Sequence, residues 1–266
     1  MARLRRSRDP EAGAGFFSPA PPRVLAHRGL AIEAPENTLL AFAKAIAIGV
    51  THIETDVHVS ADGVAMISHD PDLRRVAGRQ ATVAHLTSHE LRRVDLGYGQ
   101  GFVSLAEALD AFPGTRFNID LKVSGVVGPA VEAIRATGSV DRVLVGAFGS
   151  ARRLRAVRML PGIATSVSSR GAVAAVAAAR AGNVRALRRI LRDVQAVQLP
   201  ESVVGMKPFQ RRPVAAFHAA GVEVHAWTIN DPAAMERLLD AGVDGIVTDR
   251  ADLAVPVVRA RTTKAS

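Results

Sequence analysis

Two histidines that follow apolar runs give the chain its first chemical signal. Val24-Leu25-Ala26 stops at His27-Arg28-Gly29, and a second short run ends in Ser68-His69-Asp70. An imidazole with an unperturbed pKa of about 6.5 trades protons near neutral pH. Arg28 adds a fixed planar charge suited to a phosphate. Glu54 and Asp56 are two apart in one apolar run, and Asp120 and Lys122 two apart in another. In a strand such pairs share a face. Three inward carboxylates repel one another at low dielectric, and a divalent cation that prefers hard oxygen ligands, Mg²⁺ or Ca²⁺, relieves that cost. Two proton carriers, two cations and a metal site describe metal-assisted cleavage of a phosphate ester.

Singly, each of these residues has a blander reading. A histidine at a strand end is commonly a satisfied surface or core side chain, and His52, His85, His89 and His218 are read that way. His58 continues the alternation of Glu54 and Asp56, and His225 shares its parity with Trp227, so both stay open. Asp70 also serves as the start of a turn at Pro71, and Asp249 as the N-cap of a last helix. Glu36 and Asn37 suit a helix start, and a lone tryptophan such as Trp227 suits a core. The case rests on their order and on the strand ends they share.

The elements that position them follow one rhythm. Eight strands are expected at 24–26, 52–59, 116–121, 142–147, 163–168, 196–199, 223–229 and 245–247, with helical patterns between them. Leu39, Phe42, Ala43 and Ile46 fall at helical spacing, and Asp231-Pro232 offers an N-cap and an N1 proline before Met235, Leu238 and Leu239. Eight strand–helix units predict an α/β fold, a (β/α)8 TIM barrel, whose chemistry sits at the C-terminal strand ends. Asp62-Gly63 reads as a hairpin turn leading to an extra strand at 64–68. Residues 71–103 are too long for a plain loop and read as a small insertion after the second strand.

At 266 residues and 48% apolar, the chain is expected to form one barrel domain, residues 23–258. The charged, Pro-rich residues 1–22 are expected to be a disordered tail, and 259–266 a C-terminal tail. The net charge is +9, with Lys only at 44, 122, 207 and 264, so the basicity is mostly Arg. Aromatics at 4% do not interleave with a basic stripe, which speaks against nucleic acid. No apolar run spans a bilayer and no secretory h-region is present, so stable membrane insertion is not expected and the cytoplasm is the default location. Without cysteine there are no disulfides and no thiolate metal sites.

Taken together the motifs AHRG (26–29), PENT (35–38), IETDV (53–57), SHD (68–70), NIDLK (118–122), AWTIN (226–230) and GVDGIVTDR (242–250) resemble the glycerophosphodiester phosphodiesterase family. The resemblance spans residues 24–250 and implies the same barrel with the same insertion. It implies His27 and His69 as the acid/base pair and Arg28 as a catalytic phosphate contact. Glu54, Asp56 and Asp120 would hold the divalent cation, Lys122 would contact the phosphate, and Trp227 would shape the pocket near the glycerol. The implied reaction is hydrolysis of glycerophosphodiesters, deacylated phospholipids, to sn-glycerol 3-phosphate and an alcohol. A neighbouring glycerol hydroxyl would attack first, and water would open the cyclic phosphate. The family usually has Glu where Asp120 stands, one methylene longer. Two alternatives are a phospholipase-type phosphodiesterase acting on lysophospholipid or phosphatidylinositol, which needs an exposed apolar rim that 74–95 does not offer, and a non-catalytic phosphate-binding barrel.

Overall fold

Parity along the strands decides what the barrel encloses. In a computed structural model describing residues 15–265, with side chains through residue 261, β1 (Arg23–His27), β2 (His52–Val59) and β4 (Arg116–Leu121) run parallel and adjacent. Their register sets His27 opposite Glu54 and Asp56 opposite Asp120. β5 (Val143–Gly146), β6 (Ala164–Thr165), β7 (Ala196–Leu199), β8 (Glu223–Ala226) and β9 (Gly245–Thr248) continue the sheet in the order β6-β5-β4-β2-β1-β9-β8-β7. A parallel bridge between Ser166 and Ala196, with Gln195 N–H donating to Thr165 O at 3.0 Å, joins the two ends. The expected eight-stranded barrel is therefore formed, and β3 (Ala65–Ile67) pairs antiparallel with β2 across the Asp62-Gly63 turn.

The larger core lies between sheet and helices. Ile53, Val57, Phe117 and Ile119 point outward from the strands and meet Phe42, Leu109 and Val131. Inside the barrel a smaller apolar layer, Leu25, Leu144, Ala196 and Val247, separates the two ends. The helix Leu39–Ala47 buries Ala41, Phe42 and Ala45; of the expected stripe Phe42 is buried, Leu39 and Ile46 are half-buried, and Ala43 is exposed. Its rotation follows from its start. Thr38 caps it, and Leu30 N–H bonds Ala41 O at 2.9 Å, which draws Ala41 against the loop after β1. The helix Pro232–Asp240 forms as expected, with Asp231 accepting from Ala234 N–H and Met235, Leu238 and Leu239 buried.

The insertion after β3 carries short helices at Arg74–Ala77 and Ser88–Arg92, the second closed by a Thr87/Glu90 capping box. It packs on a core of its own, Met66, Leu73, Val83, Leu91, Val94 and Phe102.

One expectation about the termini is corrected. The tail expected over 1–22 is folded from residue 15: Phe16 is 1% exposed and plugs the N-terminal end of the barrel. Its carbonyl accepts from His52 Nε2 at 2.7 Å, and its ring packs edge-on against that imidazole. Burial pushes His52 down to about 3, so the ring stays neutral. Residues 1–14 lie outside the described residues. The tail expected over 259–266 is helical through residue 265, because the last helix, Ala251–Ala265, lies back on the barrel and Arg259 donates to Ile48 O.

Candidate active site

At the C-terminal end of the strands, a cavity of about 450 Å³ gathers His27, Arg28, Glu54, Asp56, His69, Asp120, Lys122 and Trp227. The residues expected at a site thus share one cavity. His58 and His225 do not reach it: His58 Nε2 bonds the carbonyl of His69, and His225 is buried between Glu223 and Gln198.

Each imidazole is oriented by a carboxylate. His27 Nδ1 lies 2.6 Å from Asp249 Oδ1, and His69 Nδ1 lies 2.7 Å from Asp70 Oδ1. An ionised carboxylate only accepts, so both Nδ1 atoms carry the proton and both Nε2 atoms are left to the cavity. Asp249 is kept low chiefly by the hydrogen bond from His27. Asp70 is also kept low: burial opposes this, but the bonds from His69 and Arg75 prevail. Burial likewise works against a charged His27, yet the Asp249 bond and the Glu54 carboxylate, 3.8 Å away, hold its pKa above the usual value.

The acidic wall is crowded. Burial and the neighbouring Asp56 push Glu54 up to about 8, and its Oε2 has no hydrogen-bond partner among the described residues. Burial also raises Asp120. Lys122 Nζ lies between Asp56 Oδ1 at 2.7 Å and Asp120 Oδ2 at 2.9 Å, and these two charges outweigh burial and raise its own pKa. Among the described residues no three acidic or imidazole side chains are already drawn around one point. The orphaned, buried Glu54 oxygen beside two further carboxylates is still a donor set that fits a hard divalent cation.

Arg28 is held in place by its backbone and by acids. It has φ 58°, its N–H bonds Glu54 O at 2.9 Å, and its guanidinium reaches Glu36 at 3.1 Å and Asp56 at 3.4 Å. Asn37 donates to Asp56 Oδ2 and accepts from Thr55 Oγ1, which fixes the Asp56 carboxylate.

The opposite wall is apolar. The Trp227 ring meets Phe148 edge-on at 6.0 Å, and Phe148 lies under Lys122 Nζ. Phe148, Val173 and Val204 are 55%, 38% and 80% exposed at the mouth.

Sequence reasoning missed the partners more than the principals. Local sequence suits Asp249 as a helix cap, whereas closure of the eight-stranded barrel sets its strand beside β1. Asp70 stands next to His69, where local sequence suits only the start of a turn at Pro71. Nothing local marks Phe148 or Arg75.

A sequence model of the glycerophosphoryl diester phosphodiesterase family matches residues 27–253. A Mycobacterium tuberculosis protein named "Probable glycerophosphodiester phosphodiesterase 2" is 41% identical over 239 residues, covering 89% of this chain and 90% of that one. Among solved structures, a glycerophosphodiester phosphodiesterase from Agrobacterium tumefaciens superposes with a TM-score of 0.74 at 25% identity, over 88% of this chain and 98% of its own. An Oleispira antarctica phosphodiesterase, solved with the product sn-glycerol-3-phosphate, gives 0.73 at 26%, over 89% and 96%. The barrel, the order of acids and imidazoles around its mouth and these likenesses agree, and the chain belongs to the glycerophosphoryl diester phosphodiesterase family.

Proposed function

We propose that this chain hydrolyses glycerophosphodiesters to sn-glycerol 3-phosphate and an alcohol, with His27 and His69 as the acid/base pair and a divalent cation, Mg²⁺ or Ca²⁺, as cofactor. The observation that carries this reading is the pair of imidazoles, each with Nδ1 hydrogen-bonded to a carboxylate, on one cavity with Arg28 and Lys122. A phosphate binder needs the cations but no proton carriers, which disfavours the non-catalytic alternative.

In the first step one imidazole takes the proton of a glycerol hydroxyl as its oxygen attacks phosphorus. The P–O bond to the alcohol breaks, and the other imidazole, which enters the step protonated at both nitrogens, gives its Nε2 proton to the leaving oxygen. The tethered hydroxyl acts at high effective concentration, so no protein nucleophile is needed. Water then opens the cyclic phosphate with the proton roles reversed. Arg28 and Lys122 bind the phosphoryl oxygens and balance their charge. A cation held by Glu54, Asp56 and Asp120 would add Lewis-acid charge at the phosphoryl group. Asp120, shorter than the glutamate usual in the family, is brought to the cavity by its register with Asp56.

The test is a coupled sn-glycerol 3-phosphate assay on a panel of glycerophosphodiesters with and without chelator. EDTA should abolish turnover and Mg²⁺ or Ca²⁺ restore it. His27→Ala or His69→Ala should each lower kcat by about two to four powers of ten. Chelator-insensitive turnover removes the metal from this reading, and near-normal kcat in either variant removes the imidazoles.

The apolar mouth favours a second reading, a single-chain lipid such as lysophosphatidylcholine as substrate. The rim that segment 74–95 does not offer is supplied across the cavity by Phe148, Val173 and Val204. Including lysophosphatidylcholine in the same panel separates the two readings by kcat/KM.

A further inference from the structure

Arg75 stands on the one-turn helix Arg74–Ala77 of the insertion, outside the cavity. Its guanidinium makes three hydrogen bonds. Nη1 and Nη2 donate to the two oxygens of Glu36 at 2.8 and 2.7 Å, and Nε donates to Asp70 Oδ2 at 2.6 Å. Both acceptors are committed on their other side to the site. Glu36 Oε1 also takes Arg28 Nη1, and Asp70 Oδ1 takes His69 Nδ1. One planar fork thus closes a chain Arg28–Glu36–Arg75–Asp70–His69 that joins the loop after β1 to the loop after β3. Among the described residues no hydrogen bond or ion pair joins the His27 ring to this chain. Its partner Asp249 is set by Asn230, which donates to Asp249 Oδ2 at 2.8 Å and accepts from Asp249 N–H at 2.9 Å, so that half is anchored by the barrel itself.

We infer that Arg75 is a positioning residue, through which the insertion holds Arg28 and His69 in their working orientations. The inference rests on the reading of those two side chains as phosphate contact and proton carrier. A surface staple is the simpler role for a side chain 48% exposed, and exposed ion pairs contribute little to stability. The arrangement is more specific than a staple. Its two acceptors are the only carboxylates that Arg75 pairs with among the described ion pairs, and each is the direct partner of a different site residue. Lysine could not replace it, since a point ammonium cannot present three donors in one plane to two carboxylates. Burial alone would push Glu36 and Asp70 up; the Arg75 bonds help keep both ionised and therefore able only to accept.

The experiment compares Arg75→Ala and Arg75→Lys in the full chain, with kcat and KM for glycerophosphocholine in the presence of divalent cation. A second readout, on cation-free protein, is ¹⁵N NMR of the histidine side chains, which reports the tautomer of each ring. Arg75→Ala should lower kcat by about tenfold to a hundredfold, as for a displacement on the order of 1 Å at a reacting group. Its melting temperature should stay within about 4 °C of wild type. His69 should lose its single Nδ1–H tautomer while His27 keeps its own. Arg75→Lys, which keeps the charge, should restore neither kcat nor the tautomer. A kcat within about threefold of wild type, an unchanged His69 tautomer, or full activity in the lysine variant overturns the inference. If wild type itself lacks phosphodiesterase turnover while Arg75→Ala still changes the His69 tautomer, the positioning chain stands and the functional reading falls.

Discussion

At the scale of single residues the site depends on which nitrogen of each ring holds the proton. Asp249 and Asp70 decide this, because a carboxylate can accept from Nδ1–H but cannot donate to it. Asp249→Asn therefore tests more than charge. Its amide can offer N–H to His27 Nδ1 and so favour the tautomer that points a proton at the cavity, the wrong form for the proton-accepting role proposed for His27. The expected loss in kcat is about two to three powers of ten with little change in stability. It is measured by steady-state kinetics beside the His27 NMR signature, and an unaltered kcat would show that Asp249 plays no part in setting the working form of His27.

At the scale of elements, the loop after β1 must turn within a few residues and still pack under the first helix. Gly29 makes this possible. It has φ 85°, and a Cβ there would lie 2.7 Å from the Ala41 backbone carbon and 2.8 Å from its Cβ. Neither neighbour is a flexible side-chain end. Gly29→Ala should destabilise the protein by at least about 2 kcal/mol and displace Arg28, reducing activity as well. Gly63 is the control. It too has positive φ, 80°, but nothing lies within 4 Å of its would-be Cβ, so Gly63→Asn should cost less than about 1 kcal/mol. Urea unfolding of both variants checks the contrast. Equal costs would mean that backbone conformation, and not the approach of Ala41, sets the requirement for glycine.

At the scale of the whole molecule the two ends of the barrel do different work. The C-terminal end carries the site, and the N-terminal end carries a buried ionic cluster beneath the apolar layer. There the Arg23 guanidinium, its side chain 1% exposed, is paired with Glu223 and donates to the carbonyls of Phe17 and Pro19. Burial would raise Glu223, but His225 and Arg23 hold it below the usual carboxylate value. A carboxyl lowered in the folded state stabilises fully above its unfolded pKa of about 4.5, and that contribution drains as pH falls through the lower folded value. Glu223→Gln leaves the buried guanidinium without its counter-charge and should cost about 3 kcal/mol near neutral pH. The gap to wild type should narrow below about pH 4.5. The kcat of the folded variant should be unchanged, since the apolar layer separates this cluster from the cavity. Denaturant unfolding across pH, with activity in parallel, is the measurement. A pH-independent gap would mean that packing, not charge, is what the substitution removed.

Local chemistry made the principals legible. A period of two along a strand places Glu54 with Asp56, and Asp120 with Lys122, without reference to anything distant. The order of strands and helices is enough to predict a barrel, and the barrel says which strand ends form the mouth. What depended on contacts between remote segments was hidden. Asp249 meets His27 across 222 positions because β9 closes on β1. Glu36 meets Arg75 across 39 because the insertion folds over the loop after β1. Phe16 is buried although its segment is rich in Pro and Gly, because it fills the open end of a cylinder whose existence no short window reveals. Strand parity is a property of neighbouring peptide units, so it is written in the sequence. Which carboxylate orients which imidazole is a property of closure, and only the folded chain decides it.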